Sequence, residues 1–184
     1  NAMAAAARFA AMIDALNKCL GPVTFNVGAI EGGGPVNIVP EHALVRFNVR
    51  APTLEESQAA MDAIHAAQQR IGQEDGISVH VHGGFSRPPK PRTPSQSAAA
   101  ALVAHAGAQL GLQLGFRASG GVCEGNNLAA AGCPNIDTLG VVGGGLHSSE
   151  EFALKSSFAE RAQLSLMILH DIASGKADLS GLRL

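Results

Sequence analysis

His147 follows three consecutive glycines, Gly143, Gly144 and Gly145, and precedes Ser148, Ser149, Glu150 and Glu151. A neutral imidazole is the commonest protein ligand for a metal ion. A loop that delivers one at the carboxyl end of a strand is where α/β enzymes place their chemistry. A zinc site needs about three protein ligands, and in the neighbouring sequence only Glu150 or Glu151 can add one. The structural alternative is a solvent-exposed histidine on a turn that the glycines make.

Other sets have the same two-sided character. His80 and His82 share one face of an alternating run and can pair on a metal or simply occupy the wet side of a sheet. Arg87, Lys90 and Arg92 can grip an anion, because a guanidinium fork fits a carboxylate; a soluble proline-rich hinge explains them equally. Asn37, inside Pro35-Val36-Asn37-Ile38-Val39-Pro40, can donate its amide to a ligand or close a turn on its own backbone. The loop Ser119-Gly120-Gly121-Val122-Cys123-Glu124-Gly125-Asn126-Asn127 runs into a short helix and can cradle an oxyanion with its amides. It has neither the GxxxxGK[ST] nor the GxGxxG spacing, so nucleotide binding is not supported. Glu124 reads as an acid/base group or as an acid favoured at a helix N-terminus. No Ser-His-Asp or Cys-His set declares itself.

The elements that position these residues are legible from periodicity. Phe9, Met12, Ile13, Leu16 and Leu20 predict a helix over about 4–20, stopped by Gly21-Pro22. Phe25, Val27 and Ala29 predict a strand over 24–30, and Val45, Phe47 and Val49 a second. Thr53 and Glu56 form a capping box for a helix whose stripe is Ala60, Ile64, Ala67 and Ile71. Ile77, Val79 and Val81 predict a third strand. The first half is therefore a ferredoxin-like α/β layer whose first strand is absent. Three prolines between Arg87 and Arg92 place a domain boundary there. Beyond it, Thr93, Pro94 and Gln96 open a helix to about Leu110. Short strands are expected near 114–118 and 136–139. Ser157 and Glu160 cap a final helix with Phe158, Ala162, Leu166, Leu169 and Ile172 on one side.

Composition narrows the partners. Among 184 residues, 46% are hydrophobic and 15% charged, enough for a packed core and too little charge for disorder. A net charge of -2 argues against a phosphate backbone as partner, and the absence of Trp and Tyr argues against aromatic anchors for bases or proteins. No apolar run reaches the roughly 18 residues of a membrane span. Cys19, Cys123 and Cys133 form no Cys-x-x-Cys pair, which fits free thiols in a reducing compartment. The expected location is the cytoplasm. Asn1-Ala2-Met3 reads as a tag remnant followed by a start Met.

Taken in order, the stretches Phe25-Asn26-Val27-Gly28, Glu31-Gly32-Gly33, Asn37-Ile38-Val39-Pro40, Phe47-Asn48-Val49-Arg50, Ser119 to Asn126, Asp137-Thr138-Leu139-Gly140, Gly143 to Ser148 and Glu151-Phe152 resemble the zinc-dependent exopeptidase and deacylase family. That family includes acetylornithine deacetylase, succinyl-diaminopimelate desuccinylase and glutamate carboxypeptidase. The resemblance implies a catalytic domain with two zinc ions and an inserted ferredoxin-like lid that mediates dimerisation. Residues 4–86 would be most of the lid and 87–184 the C-terminal part of the α/β catalytic domain. By the same resemblance His147 matches the last metal ligand, Asn37 and Arg87 match groups that hold the substrate's free carboxylate, and Gly120, Gly121 and Glu124 belong to the loop lining the substrate pocket. The implied substrates are acyl amino acids or peptides, cleaved at an amide beside a free carboxylate.

Two departures stand out: Glu124 where the family usually has Asp, and Cys123 where it usually has Ser. The family's His-x-Asp motif, bridging Asp, Glu-Glu general-base pair, later acidic ligand and lid histidine have no counterpart in these residues. The expectation is a family fragment, inactive alone, with no catalytic base, binding little or no zinc and prone to dimerise or self-associate further through unpaired strand edges. Two other readings stay open: a non-catalytic carboxylate-binding or dimerisation module, and a half-enzyme completed by a separate N-terminal polypeptide.

Overall fold

The computed structural model describes residues 1–182 and divides into two compact units. Unit one comprises residues 1–91 with 120–122, and unit two comprises 92–119 with 123–184.

In unit one, α1 (Ala2–Ala15) starts earlier than the periodicity predicts, because the Asn1 side chain accepts from the Ala4 amide and caps it. The residues read as a tag remnant are thus part of a helix end. Leu16–Lys18 tightens into a 3₁₀ turn. There Asn17 braces the next strand, with its Nδ2 donating to Phe25 O at 2.9 Å and its Oδ1 accepting from Phe25 N at 2.8 Å. Strands β1 (Thr24–Gly32) and β2 (Ala43–Arg50) pair antiparallel, and the register slips between Val27 and Ala29. Helix α2 (Leu54–Gly72) is capped as expected, with Glu56 N donating to Thr53 Oγ1 at 3.2 Å. One core joins them: Ala5, Phe9 and Ile13 of α1, Val23 and Phe25, and Ala60, Ile64, Ala67 and Ile71 of α2. Phe9 and Phe47 approach with ring centroids 6.1 Å apart.

The third predicted strand is a correction. Ile77, Val79 and Val81 do alternate half-buried with exposed Ser78, His80 and His82, and they pack on the same core. Yet the sheet holds β1 and β2 only, and residues 77–82 join no ladder. Alternation encodes which face is apolar; it does not supply a bonding partner.

Unit two contains α3 (Pro94–Gln109), α4 (Glu124–Ala130), a two-residue pair β3 (Gly143–Gly144) and β4 (Phe152–Ala153), and α5 (Ser157–Ala173). A short 3₁₀ turn, Ser180–Leu182, follows. Helix α3 matches expectation, capped by Thr93 through Gln96 N at 3.1 Å.

Neither of the strands expected near 114–118 and 136–139 forms. Leu114 instead lays its side chain on α3, where a Cβ on Gly107 would come within 2.6 Å of it. Thr138 adopts φ 61, which breaks any extended run through 136–139. The last helix departs from its reading at its start. Ser157 is its first residue, not its cap, and its hydroxyl accepts from Val142 N at 2.9 Å and donates to Leu154 O at 2.7 Å. The stripe Phe158, Leu166 and Leu169 is 58%, 67% and 64% exposed, while Leu164 is the side chain that α5 buries completely. No helix among the described residues is long and apolar enough to cross a membrane.

Candidate functional site

His147 sits in a tight reversal. β3 and β4 approach so closely that a Cβ on Gly143 would meet Phe152 O at 2.3 Å, and one on Gly145 would meet Glu150 O at 2.5 Å. Glycines are therefore required there for close backbone approach. Ser148 N donates to Gly145 O at 3.1 Å, the Ser148 hydroxyl donates to the same oxygen at 2.7 Å, and Glu150 N donates to Ser148 Oγ at 3.1 Å.

Within this turn His147 adopts φ 64, a left-handed conformation unusual for a residue with a Cβ. Its amide donates to Glu151 Oε2 at 3.2 Å, and the imidazole is exposed. Strain of this kind persists only where surrounding bonds over-determine it, and it gathers at functional sites. The ring is thus presented on a fixed turn, and Glu151 holds the backbone beneath it.

One histidine does not make a metal centre. Among the described residues no group of three His, Cys, Asp or Glu side chains is placed to hold a metal ion. The donor set in these residues therefore does not fit a complete zinc site, and no reaction step is derived through one.

The glycine-rich loop ends in a capping box built from unusual parts. Cys123 Sγ accepts from Gly125 N at 3.3 Å, and Cys123 N donates to Asn126 Oδ1 at 3.1 Å. The thiol also contacts Asp137 Oδ2 at 3.1 Å. Gly125 must be glycine, because a Cβ would lie 2.6 Å from both Asn135 Oδ1 and Asp137 Oδ2. Asn135 in turn donates from Nδ2 to Gly125 O at 3.0 Å and to Cys133 O at 2.9 Å. Its backbone exchanges two bonds with the Gln96 side chain. Glu124 stands exposed in the first turn of α4. Reading the sequence for site residues passes over Asn135 and Gln96; an Asn after Cys-Pro is a turn signal, and nothing in the sequence ties it to residue 96.

The remaining predicted residues lie in unit one, except Arg92, which opens unit two. Asn37 is exposed on the turn closed by Ile38 N donating to Pro35 O at 3.0 Å. Arg87 is half-buried. Gly120 and Gly121 are exposed, and the Gly120 carbonyl accepts from Arg50 Nη1 at 3.2 Å. His80 and His82 occupy the wet face of their run, and Arg92 Nε donates to Ser97 Oγ at 3.4 Å.

Three acids sit below the usual carboxylate range. Arg8 donates from Nε to Glu74 Oε1 at 2.9 Å, and that guanidinium holds the Glu74 carboxyl low. Hydrogen bonding from His170 at 3.3 Å, with help from Gln109 Nε2 at 3.2 Å, lowers Asp171. Bonds from Ser180 lower Asp178. These groups brace helices and the C-terminal turn; none touches His147 or the glycine-rich loop.

Residues 1–75 match the peptidase dimerisation domain. The succinyl-diaminopimelate desuccinylase of Bordetella parapertussis is 30% identical over 145 residues, which is 78% of this chain and 36% of that protein. Its counterpart in Burkholderia ambifaria is 29% identical over 140 residues, 75% of this chain and 35% of that one. The chain thus spans about a third of the length of these curated relatives. The crystal structure of aminopeptidase PepT from Bacillus cereus superposes with a TM-score of 0.72 at 22% identity, over 92% of this chain and 45% of that one. The fold is therefore the mixed α/β fold of that peptidase, with a dimerisation domain at its start.

Proposed function

We propose, from the premise that this chain is a relative of the exopeptidases and deacylases its motifs resemble, that residues 4–86 serve as a lid and dimerisation domain and residues 87–184 as the C-terminal part of a metal-dependent amidohydrolase. The reaction is hydrolysis of an amide beside a free carboxylate, in an N-acyl amino acid or a C-terminal amino acid conjugate. The observation that carries this reading is the strained His147 turn, whose backbone Glu151 fixes at 3.2 Å.

His147 supplies one ligand to a zinc ion, and bound zinc supplies an acidified water in such enzymes. Arg87 and Asn37 hold the substrate carboxylate, since a guanidinium gives a forked pair of charge-assisted bonds and an amide adds a neutral donor. Gly120 and Gly121 offer backbone to the pocket, and Glu124 shapes its acyl end. The 184-residue polypeptide by itself has no general base for the water, so it binds such a substrate without turning it over. It works as a dimer, in the cytoplasm.

The test is calorimetric titration of the chain with N-succinyl-diaminopimelate, with and without zinc, alongside an assay for released succinate. Zinc-independent binding that weakens about tenfold or more in Arg87→Ala, with no succinate released, is the expected result. Binding indifferent to both Arg87→Ala and Asn37→Ala, or zinc-dependent turnover by this chain alone, overturns it.

A further inference from the structure

A charged pair joins α1 to the end of α2 and leaves a second cation over. Arg8 on α1 donates from Nε to Glu74 Oε1 at 2.9 Å and from Nη2 to Glu74 Oε2. Both carboxylate oxygens therefore face one guanidinium, in the forked geometry that makes such pairs strong. Arg70, in the last turn of α2, stands four residues before Glu74. Opposite charges at that spacing can pair, but with the base ahead of the acid the order is the weaker one. Arg8 takes the acid instead, and the Arg70 guanidinium has no hydrogen bond or ion pair among the described residues.

Beside the pair the two helices leave a groove of about 480 Å³, lined by Arg8, Ala11, Met12, Arg70, Ile71 and Glu74. Ala11 and Met12 lie one turn after Arg8, and Arg70 and Ile71 one turn before Glu74. The floor is apolar: Ile71 is 3% exposed and belongs to the core of unit one, and Met12 packs on that core. An unbranched, polarizable methionine side chain adapts its shape to an apolar ligand. The charges of Arg8 and Glu74 cancel, so Arg70 leaves the groove with one positive charge to spare.

We propose that this groove is a binding site for a small aliphatic monocarboxylate. Its alkyl chain lies on Ala11, Met12 and Ile71, and its carboxylate is taken by Arg70. The volume is that of a small-molecule pocket, about 300–1,000 Å³. Six lining residues are far fewer than the roughly 20–30 a side of a stable protein interface. A neutral hydrocarbon would cover the floor and leave Arg70 unmet, and a bare anion would meet Arg70 and leave the floor wet. A carboxylate on an aliphatic chain does both. The inference stands on α1 and α2 alone and is independent of the roles proposed for His147 and the glycine-rich loop.

The experiment titrates the full isotope-labelled chain with sodium octanoate and follows its amide shifts by NMR. The expected result is a saturable response centred on residues 8–12 and 70–74. Octanamide keeps the chain without the charge, and butyrate keeps the charge with a shorter chain. Each should bind about fivefold or more weakly than octanoate.

Arg70→Ala should weaken octanoate binding about fivefold or more. Arg70→Lys keeps the charge without the fork and should restore part of that loss. Ala11→Phe should weaken binding by filling the groove. Ala11 and Arg70 are both exposed, so these variants leave the core intact. No saturable response, equal affinity for octanamide, or unchanged affinity in Arg70→Ala overturns the site. Shifts of the same amides that grow with protein concentration and need no octanoate also overturn it, because a second copy then covers the groove.

Discussion

Unit one closes a core around large side chains, and unit two closes one around small ones. In the first, Phe9, Ile13, Phe25, Ile64 and Ile71 are all buried where two helices meet a hairpin. In the second, Ala99, Val103, Ala106 and Leu164 are the buried apolar residues, while Phe116, Phe152, Phe158, Leu166 and Leu169 stand exposed. Helix α5 is apolar on a face that stands exposed among the described residues. An amphipathic stripe therefore tells which face wants burial, and only a neighbouring element decides whether it gets it.

The sharpest way to break this contrast is to truncate both kinds of residue. Ile13→Ala and Leu164→Ala, both fully buried, should each lose about 2–5 kcal/mol in urea unfolding monitored by circular dichroism. Leu166→Ala, two positions along α5 and exposed, should change stability by less than about 0.5 kcal/mol. A Leu166→Ala loss as large as that of Leu164→Ala would mean that face is covered in solution.

The helix starts give a smaller test of the same kind. Thr53 caps α2 with its side chain, whereas Ser156 at the start of α5 makes no such bond. Thr53→Ala should cost about 1 kcal/mol and Ser156→Ala almost nothing, read as shifts in urea midpoint. In unit two, His147→Gly should gain up to about 1 kcal/mol by relieving the left-handed backbone.

Acid should loosen both units by the same mechanism and with the smallest effect. The Glu74 and Asp171 carboxyls are lowered in the folded chain. A lowered carboxyl contributes stability above its unfolded value, and that contribution is lost as pH falls through the folded value. The loss therefore sits below about pH 4. Glu74→Gln should flatten the acid limb of the unfolding midpoint in unit one, and Asp171→Asn should flatten it in unit two. Equal steepness in variants and parent would remove these pairs from the account.

Legibility in the sequence followed locality. The Thr53 cap and the Ala60, Ile64, Ala67, Ile71 stripe were readable because both are set within a few residues of chain. β1 and β2 were readable as two alternating runs, whereas their antiparallel register is set only by the ladder itself. Residues 77–82 alternate just as clearly, yet form no ladder, since a ladder needs a partner that periodicity does not name. The α5 stripe was readable as one apolar side, and for the same reason its exposure was not. At the site, the glycines around His147 were visible, but the left-handed φ of His147 depends on bonds to Glu151 and Ser148 that close only in three dimensions. Asn135 and Gln96, 39 residues apart, are joined by side-chain bonds no local pattern announces.

The account's central claim is that these residues bring one ligand, His147, to a metal centre whose other ligands lie outside this set. The measurement is zinc stoichiometry: incubate the purified chain with excess zinc, desalt it, and count metal per chain by plasma mass spectrometry. The account predicts far less than one zinc per chain, unchanged in His147→Ala. Close to two per chain, falling in His147→Ala, would contradict it.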